Sequence, residues 1–204
     1  MPSPQDGRSV LVLASGSPRR RQLLDEAGIP FVAVTPSIAE PDDLICRLPA
    51  IQQAEALAYF KARTVAQRMP GRCVMGADTI VAKGSTVFGK PADADQARSM
   101  LSQLSGTRHR VITGVALLGP NGERLIASDI TFITMREMTP DELDQYVESN
   151  EWRDKAGAYA IQETADRFVT AVEGSFSNVV GLPMELVGRM IRELRDHPQQ
   201  HRGL

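Results

Sequence analysis

The sequence predicts a mixed α/β domain. Short apolar runs of strand length, Val10–Leu13, Phe31–Val34 and Cys73–Val81, alternate with stretches whose apolar residues recur at helical spacing, at 49–68, 94–104 and from Met184 onward. Turn-forming clusters separate them, among them Met69-Pro70-Gly71, Lys83-Gly84-Ser85 and Pro120-Asn121-Gly122. No repeat, low-complexity segment or clear linker divides the 204 residues, a length that can bury a full core in one domain or two closely joined lobes.

Composition narrows the function classes. With 25 acids against 23 Lys and Arg, the net charge of −2 excludes a globally basic surface for nucleic acid. Anion affinity must then come from local clusters. The two cysteines, Cys46 and Cys73, stand in no CxxC or Cys/His cluster, so two free thiols in a reducing compartment are expected and zinc is not. The opening MPSPQDGRS has no apolar signal core, and no apolar run approaches membrane-spanning length, so a cytoplasmic protein is expected.

Taken in order, residues 1–9 read as a flexible lead-in, and Val10–Leu13 as a buried strand. Ala14-Ser15-Gly16-Ser17 turns the chain, with Ser17 as N-cap and Pro18 at the first helical position. Arg19, Arg20 and Arg21 then crowd the first helical turn, where basic residues oppose the helix dipole. An anion at that end resolves the conflict: free backbone N–H groups, the hydroxyls of Ser15 and Ser17 and the guanidinium forks would converge on a phosphate. A solvated basic helix start is the plainer alternative.

Gly28 ends that helix, Phe31–Val34 reads as a second strand, and Thr35–Pro41 as a loop carrying Glu40. In the helix from Pro49 to Arg68, Ala54, Leu57, Ala58 and Lys61 share a face. Snorkelling alone would explain Lys61 beside that stripe. Asp78 and Thr79 sit inside the apolar strand Cys73–Val81, and an acid there is costly unless it is paired, metal-bound or at a cleft. Thr86–Phe88 returns toward Gly89-Lys90-Pro91, which is not a Walker motif.

Asp93 with Gln96 starts a helix at 94–104 in the manner of a capping box, and Val111–Leu118 is a strand. His109 has no nucleophile–acid pair beside it and reads as ordering the turn or standing at the rim of a site. Glu123–Arg136 reads as one or two strands, and Thr139-Pro140-Asp141-Glu142 as a strong helix start running to about Ser149. The last helix turns Leu186, Val187, Met190, Ile191 and Leu194 inward, and the tail from His197 is expected to fray.

ASGSPRRRQLL (14–24), GADTIV (76–81), GKP (89–91), KAGAY-x-IQ (155–162) and SNVVGLP (177–183) resemble, in order, the signatures of the Maf family of nucleotide pyrophosphatases. The resemblance spans Leu11 to about Val187. It implies two lobes around a twisted sheet with a deep cleft, similar to the inosine triphosphatase fold. It implies hydrolysis of dTTP and UTP, or of modified pyrimidine nucleotides, to monophosphate and pyrophosphate. Asp78 would be the general base and, with Glu40, hold a divalent cation such as magnesium or manganese. Arg19, Arg20, Lys61 and Lys90 would face the phosphates, and Arg19, Thr79 and Gln162 would set base preference. Glu163 departs from the family, which commonly has Gly after the Gln, and bears on that preference. A homodimer is implied too. Two other readings stand beside this one: a nucleotide-binding regulator of cell division with little catalysis, and a pyrophosphatase for methylated nucleotides.

Overall fold

Seven strands form one mixed sheet in the order β2-β1-β3-β5-β6-β7, with β4 also paired to β3. The strands are β1 (Leu11–Ala14), β2 (Phe31–Val34), β3 (Val74–Lys83), β4 (Thr86–Phe88), β5 (Arg108–Leu118), β6 (Arg124–Met135) and β7 (Val169–Glu173). The helices are α1 (Pro18–Glu26), α2 (Asp43–Cys46), α3 (Ala50–Ala66), α4 (Ala94–Leu104), α5 (Pro140–Glu148), α6 (Phe176–Val180) and α7 (Met184–Asp196). The structure, a computed structural model, describes residues 10–37, 43–161 and 164–196. Glu40, Gln162 and Glu163, and the two expected flexible termini, lie outside the described residues.

β1 runs parallel to both β2 and β3, while β3, β5 and β6 form an antiparallel meander. The parallel half follows from helical crossovers; tight turns at 84–85 and 119–123 make the antiparallel pairs β3–β4 and β5–β6, and the chain reaches β5 from β4 through α4. Glu123 secures the second turn: its carboxylate accepts from Asn121 N at 2.9 Å and Asn121 Nδ2 at 3.0 Å.

Apolar side chains gather into two large cores. One lies around β1, α1 and α7 and includes Leu13, Leu24, Met75, Leu182 and Val187. The other lies around α4, α5 and the 152–168 segment and includes Phe88, Leu101, Tyr146, Trp152 and Phe168. Between them α3 lies across the sheet on a thin layer of small side chains, Ala58, Ala62 and Ala116 among them. The strands beneath carry glycines where the helix is nearest. A Cβ added at Gly76 would stand 2.7 Å from Ala62 N, and one at Gly114 would stand 2.6 Å from Glu55 N. This close seating is what carries Lys61, near the end of α3, over β3.

Several elements differ from expectation. Ser17 does stand at the N-cap of α1, but its side chain makes no capping bond. Ser15 Oγ instead accepts from Ser17 N at 3.2 Å, closing the turn from behind. β5 begins at Arg108, three residues early, which takes His109 from a rim into a strand. Residues 124–135 form one long strand, and α2, α6 and β7 are additions. β7 is an edge strand, mostly exposed, so it lacked the apolar signal by which the inner strands are read. The capping box is complete at α5, where Thr139 and Glu142 cap each other's backbone N–H; at α4 Asp93 accepts from Gln96 N, but Gln96 Oε1 accepts from Ala92 N, one residue before the cap.

Candidate active site

The site arises from a gap in the sheet. β5 pairs with one side of β3 from Val74 to Ala82. On the other side, β1 stops at Ala14 opposite Gly76, and β4 joins only at Val81. Among the described residues no strand covers the stretch of β3 between, where Asp78 and Thr79 lie. β1 lies between two parallel neighbours there, so the gap opens at the switch point of the parallel half, where open α/β sheets bind ligands. Successive strand residues point to opposite faces. Asp78 reaches α3 on one face, Thr79 reaches α1 and β5 on the other, and the gap lets both line one cavity of about 510 Å³.

The turn after β1 and the start of α1 form one wall, contributing Ser15, Ser17, Arg19 and Arg20. Arg20 turns inward. Its Nε donates to Gly181 O at 2.7 Å, Nη1 to Ala77 O at 2.8 Å and to Ser15 Oγ at 3.3 Å, and Nη2 to Thr79 Oγ1 at 3.1 Å. The Ala77 carbonyl is one that the missing strand would have taken. Arg20 therefore acts as a strut tying α1 to β3 and to the end of α6. Burial lowers its pKa, and the charge of Asp78 opposes that shift. Arg21 points outward, while Arg19, half-buried, lines the cavity.

On the opposite wall Lys61 Nζ donates to Asp78 Oδ1 in a mostly buried ion pair. Burial lowers the Lys61 pKa, the Asp78 carboxylate pulls it back up, and the Arg20 charge adds to the lowering. Lys61 thus faces the cavity with its ammonium on Asp78, in place of the snorkelling alternative. Lys90 stands exposed at the mouth, 3.6 Å from Asp154. The structure brings Ser15, Ser17, Arg19, Arg20, Lys61, Asp78, Thr79 and Lys90 to one cavity. Lys155 lines it too and is itself buried. Sequence reasoning does not single it out as a site residue, although its place at the head of KAGAY, before three small residues, is a usable signal. Among the described residues the lining cations, Arg19, Arg20, Lys61, Lys90 and Lys155, outnumber the acids, Asp78 and Asp154, as suits an anionic ligand.

The 154–161 segment closes the cavity on the side of β4. Its backbone is tightly folded, with positive φ at Asp154, Gly157 and Ala158. Gly157 N donates to Gly89 O at 3.0 Å, which ties this segment to the Lys90 turn. Behind it, Tyr159 OH and His109 Nε2 meet at 2.7 Å in the buried core. Burial, with a smaller push from Lys83, drives the His109 imidazole down to about 4. The folded state therefore holds His109 neutral where the unfolded chain, near the ordinary 6.5, binds a proton. Its contribution to stability is full above pH 6.5 and is lost as pH falls toward 4, roughly 3 kcal/mol at the lower end. Urea melts at pH 7 and pH 4.5 should show that extra acid loss in the parent chain and not in His109→Gln.

Residues 10–194 match the family model for Maf-like proteins. The dTTP/UTP pyrophosphatase of Symbiobacterium thermophilum is 44% identical over 183 residues, covering 90% of this chain and 93% of that protein. The dTTP/UTP pyrophosphatase of Myxococcus xanthus is 47% identical over 181 residues, covering 87% and 88%. Among solved structures, a HAM1 protein from Coxiella burnetii overlaps 90% of this chain and 98% of its own, at 17% identity and a TM-score of 0.49. With a family model covering nearly its whole length and relatives this similar over about nine-tenths of it, the chain belongs to the Maf family.

Proposed function

We propose that the chain hydrolyses dTTP and UTP to the nucleoside monophosphate and pyrophosphate. The observation that carries this reading is the Asp78 carboxylate, set in an apolar strand at a cation-lined cleft. Identities of 40–47% to proteins named dTTP/UTP pyrophosphatase support the choice of substrate. The two apolar cores support the expected pair of lobes flanking the cleft.

In this reading the triphosphate lies against the Ser15–Ser17 turn, where the N–H groups at the start of α1 point at it. Arg19, Lys61 and Lys90 neutralise its charge from three sides. Arg20 holds the turn in shape and adds its charge from behind, since most of its donors are already committed to protein acceptors. Asp78 accepts the proton of the water that attacks the α-phosphorus. The base is read by Arg19, Thr79 and Gln162.

A divalent cation fits this donor set. Magnesium is ordinarily held by one or two carboxylates, with phosphates and water completing its shell. Among the described residues no three His, Cys, Asp or Glu gather into a cage; of the two acids that line the cavity, Asp78 stands in the wall and Asp154 lies exposed at the mouth beside Lys90. Asp78, with Glu40 as its proposed partner, would hold the ion. When bound, the ion would clamp the phosphates and make a water more acidic.

The test is a panel of nucleoside triphosphates with magnesium or manganese, assayed separately for pyrophosphate and monophosphate. Equal yields of both from dTTP and UTP, with little from purines, are expected. Pyrophosphate from methylated nucleotides alone would keep the mechanism and discard the base assignment. Binding without turnover would replace the enzyme with a nucleotide-binding regulator.

A further inference from the structure

We infer that Thr113, buried behind the cleft wall, is a positioning residue that fixes the hydroxyl proton of Thr79 and leaves Thr79 only an acceptor to offer the nucleotide base. The inference rests on the proposed reading that Thr79 faces the base. The two threonines stand opposite each other on β3 and β5. Their hydroxyl oxygens are 2.9 Å apart, so one proton lies between them. Thr113 Oγ1 also lies 3.0 Å from the carbonyl oxygen of Asn178, which can only accept, so Thr113 donates there. The proton between the threonines is then that of Thr79. Arg20 Nη2 donates into the same Thr79 oxygen at 3.1 Å. With one bond received and one given, Thr79 keeps a single lone pair for the cavity it lines.

The opposite arrangement would put the oxygens of Thr113 and Asn178 3.0 Å apart with no proton between them, at a site where both residues are fully buried. Unmatched oxygens in such surroundings are costly. The acceptor end of the chain is also held in place. Asn178 Nδ2 donates to Val111 O at 3.0 Å and to Thr131 Oγ1 at 2.9 Å, which fixes the start of α6 against the sheet.

The consequence is chemical selectivity. Uracil and thymine carry an N–H donor at N3, whereas cytosine presents a bare lone pair at the same place. An acceptor-only hydroxyl suits the first and repels the second. A hydroxyl free to rotate would serve either.

The test compares UTP with CTP, as kcat/KM and as Kd, in the parent chain, Thr113→Val, Thr113→Ser and Thr79→Val. Thr113→Val removes the acceptor, and the UTP:CTP ratio should fall roughly tenfold, the scale of one hydrogen bond. Thr113→Ser keeps the donor and the acceptor and should keep the ratio, which a merely structural role would not require. Should the valine variant fail to fold, Thr113→Cys, a weak acceptor of similar size, reads the same ratio. An unchanged ratio in Thr113→Val or its cysteine substitute, with the ratio collapsed in Thr79→Val, overturns the inference and leaves the base reading intact. An unchanged ratio in Thr79→Val overturns the base reading and the inference with it.

Discussion

Asp78→Asn lowers pyrophosphate release from dTTP and UTP by roughly a thousandfold, within the range by which a positioned general base accelerates proton transfer. The amide has the shape of the carboxylate but cannot take a proton from water, and it is a far weaker ligand for a cation. Binding should move the other way. Asp78 places a negative charge in a cavity built for phosphates, so its removal should leave nucleotide Kd, measured without divalent cation, unchanged or tighter while kcat collapses. The fold should survive, at some cost. Lys61 loses the carboxylate that opposes the lowering of its pKa by burial, so it gives up its proton more readily. The loss in Tm should therefore shrink as pH rises, and Lys61→Met in the Asp78→Asn background should recover part of it, since an uncharged side chain needs no partner. Turnover within tenfold of the parent chain would remove Asp78 from the role of base. A kcat loss matched by an equal loss of nucleotide binding would assign it to substrate holding instead.

Asp78 could be singled out in the sequence because its oddity is local: a carboxylate among Val, Met, Ala and Ile needs a reason wherever the strand lies. The Ser15–Arg19 wall was legible on the same terms, as a strand, a small-residue turn and a basic helix start in 15 consecutive residues. Which of the three arginines turns inward was not. Arg20 is chosen by acceptors 57 and 161 positions away, at Ala77 and Gly181, and by a gap in the sheet that no window of the sequence displays. His109 was misplaced for a similar reason. Its strand partner is Ile133, on β6, and its side-chain partner is Tyr159, beyond α5. The polar chain from Arg20 through Thr79 and Thr113 to Asn178 was invisible for the same cause, being assembled from α1, β3, β5 and α6.

Gly114→Ala should destabilise the chain by roughly 3 kcal/mol, the upper part of the usual range for overpacking, or a Tm loss of about 10 °C for a domain of this length. Gly114 stands opposite Asp78 on the neighbouring strand, on the face that α3 covers. A Cβ there would meet Ala54 C and O and come within 2.6 Å of Glu55 N. Those atoms are helix backbone, so no rotamer change relieves the contact; α3 must move away from the sheet or tilt. For the same reason Ala54→Gly should not rescue the variant, because it removes a methyl group that is not the obstacle. Movement of α3 also separates Lys61 from Asp78, the pair that joins helix to strand at the cleft. The folded fraction of Gly114→Ala should then show reduced kcat as well as reduced stability, although Gly114 itself does not line the cavity. Gly76→Ala, which would press on Ala58 O and Ala62 N one helical turn further along α3, should behave alike. A Gly114→Ala chain as stable as its parent would show that α3 is not seated on β5 as described. One that is destabilised but fully active per folded molecule would show that the Lys61–Asp78 pair does not depend on that seating.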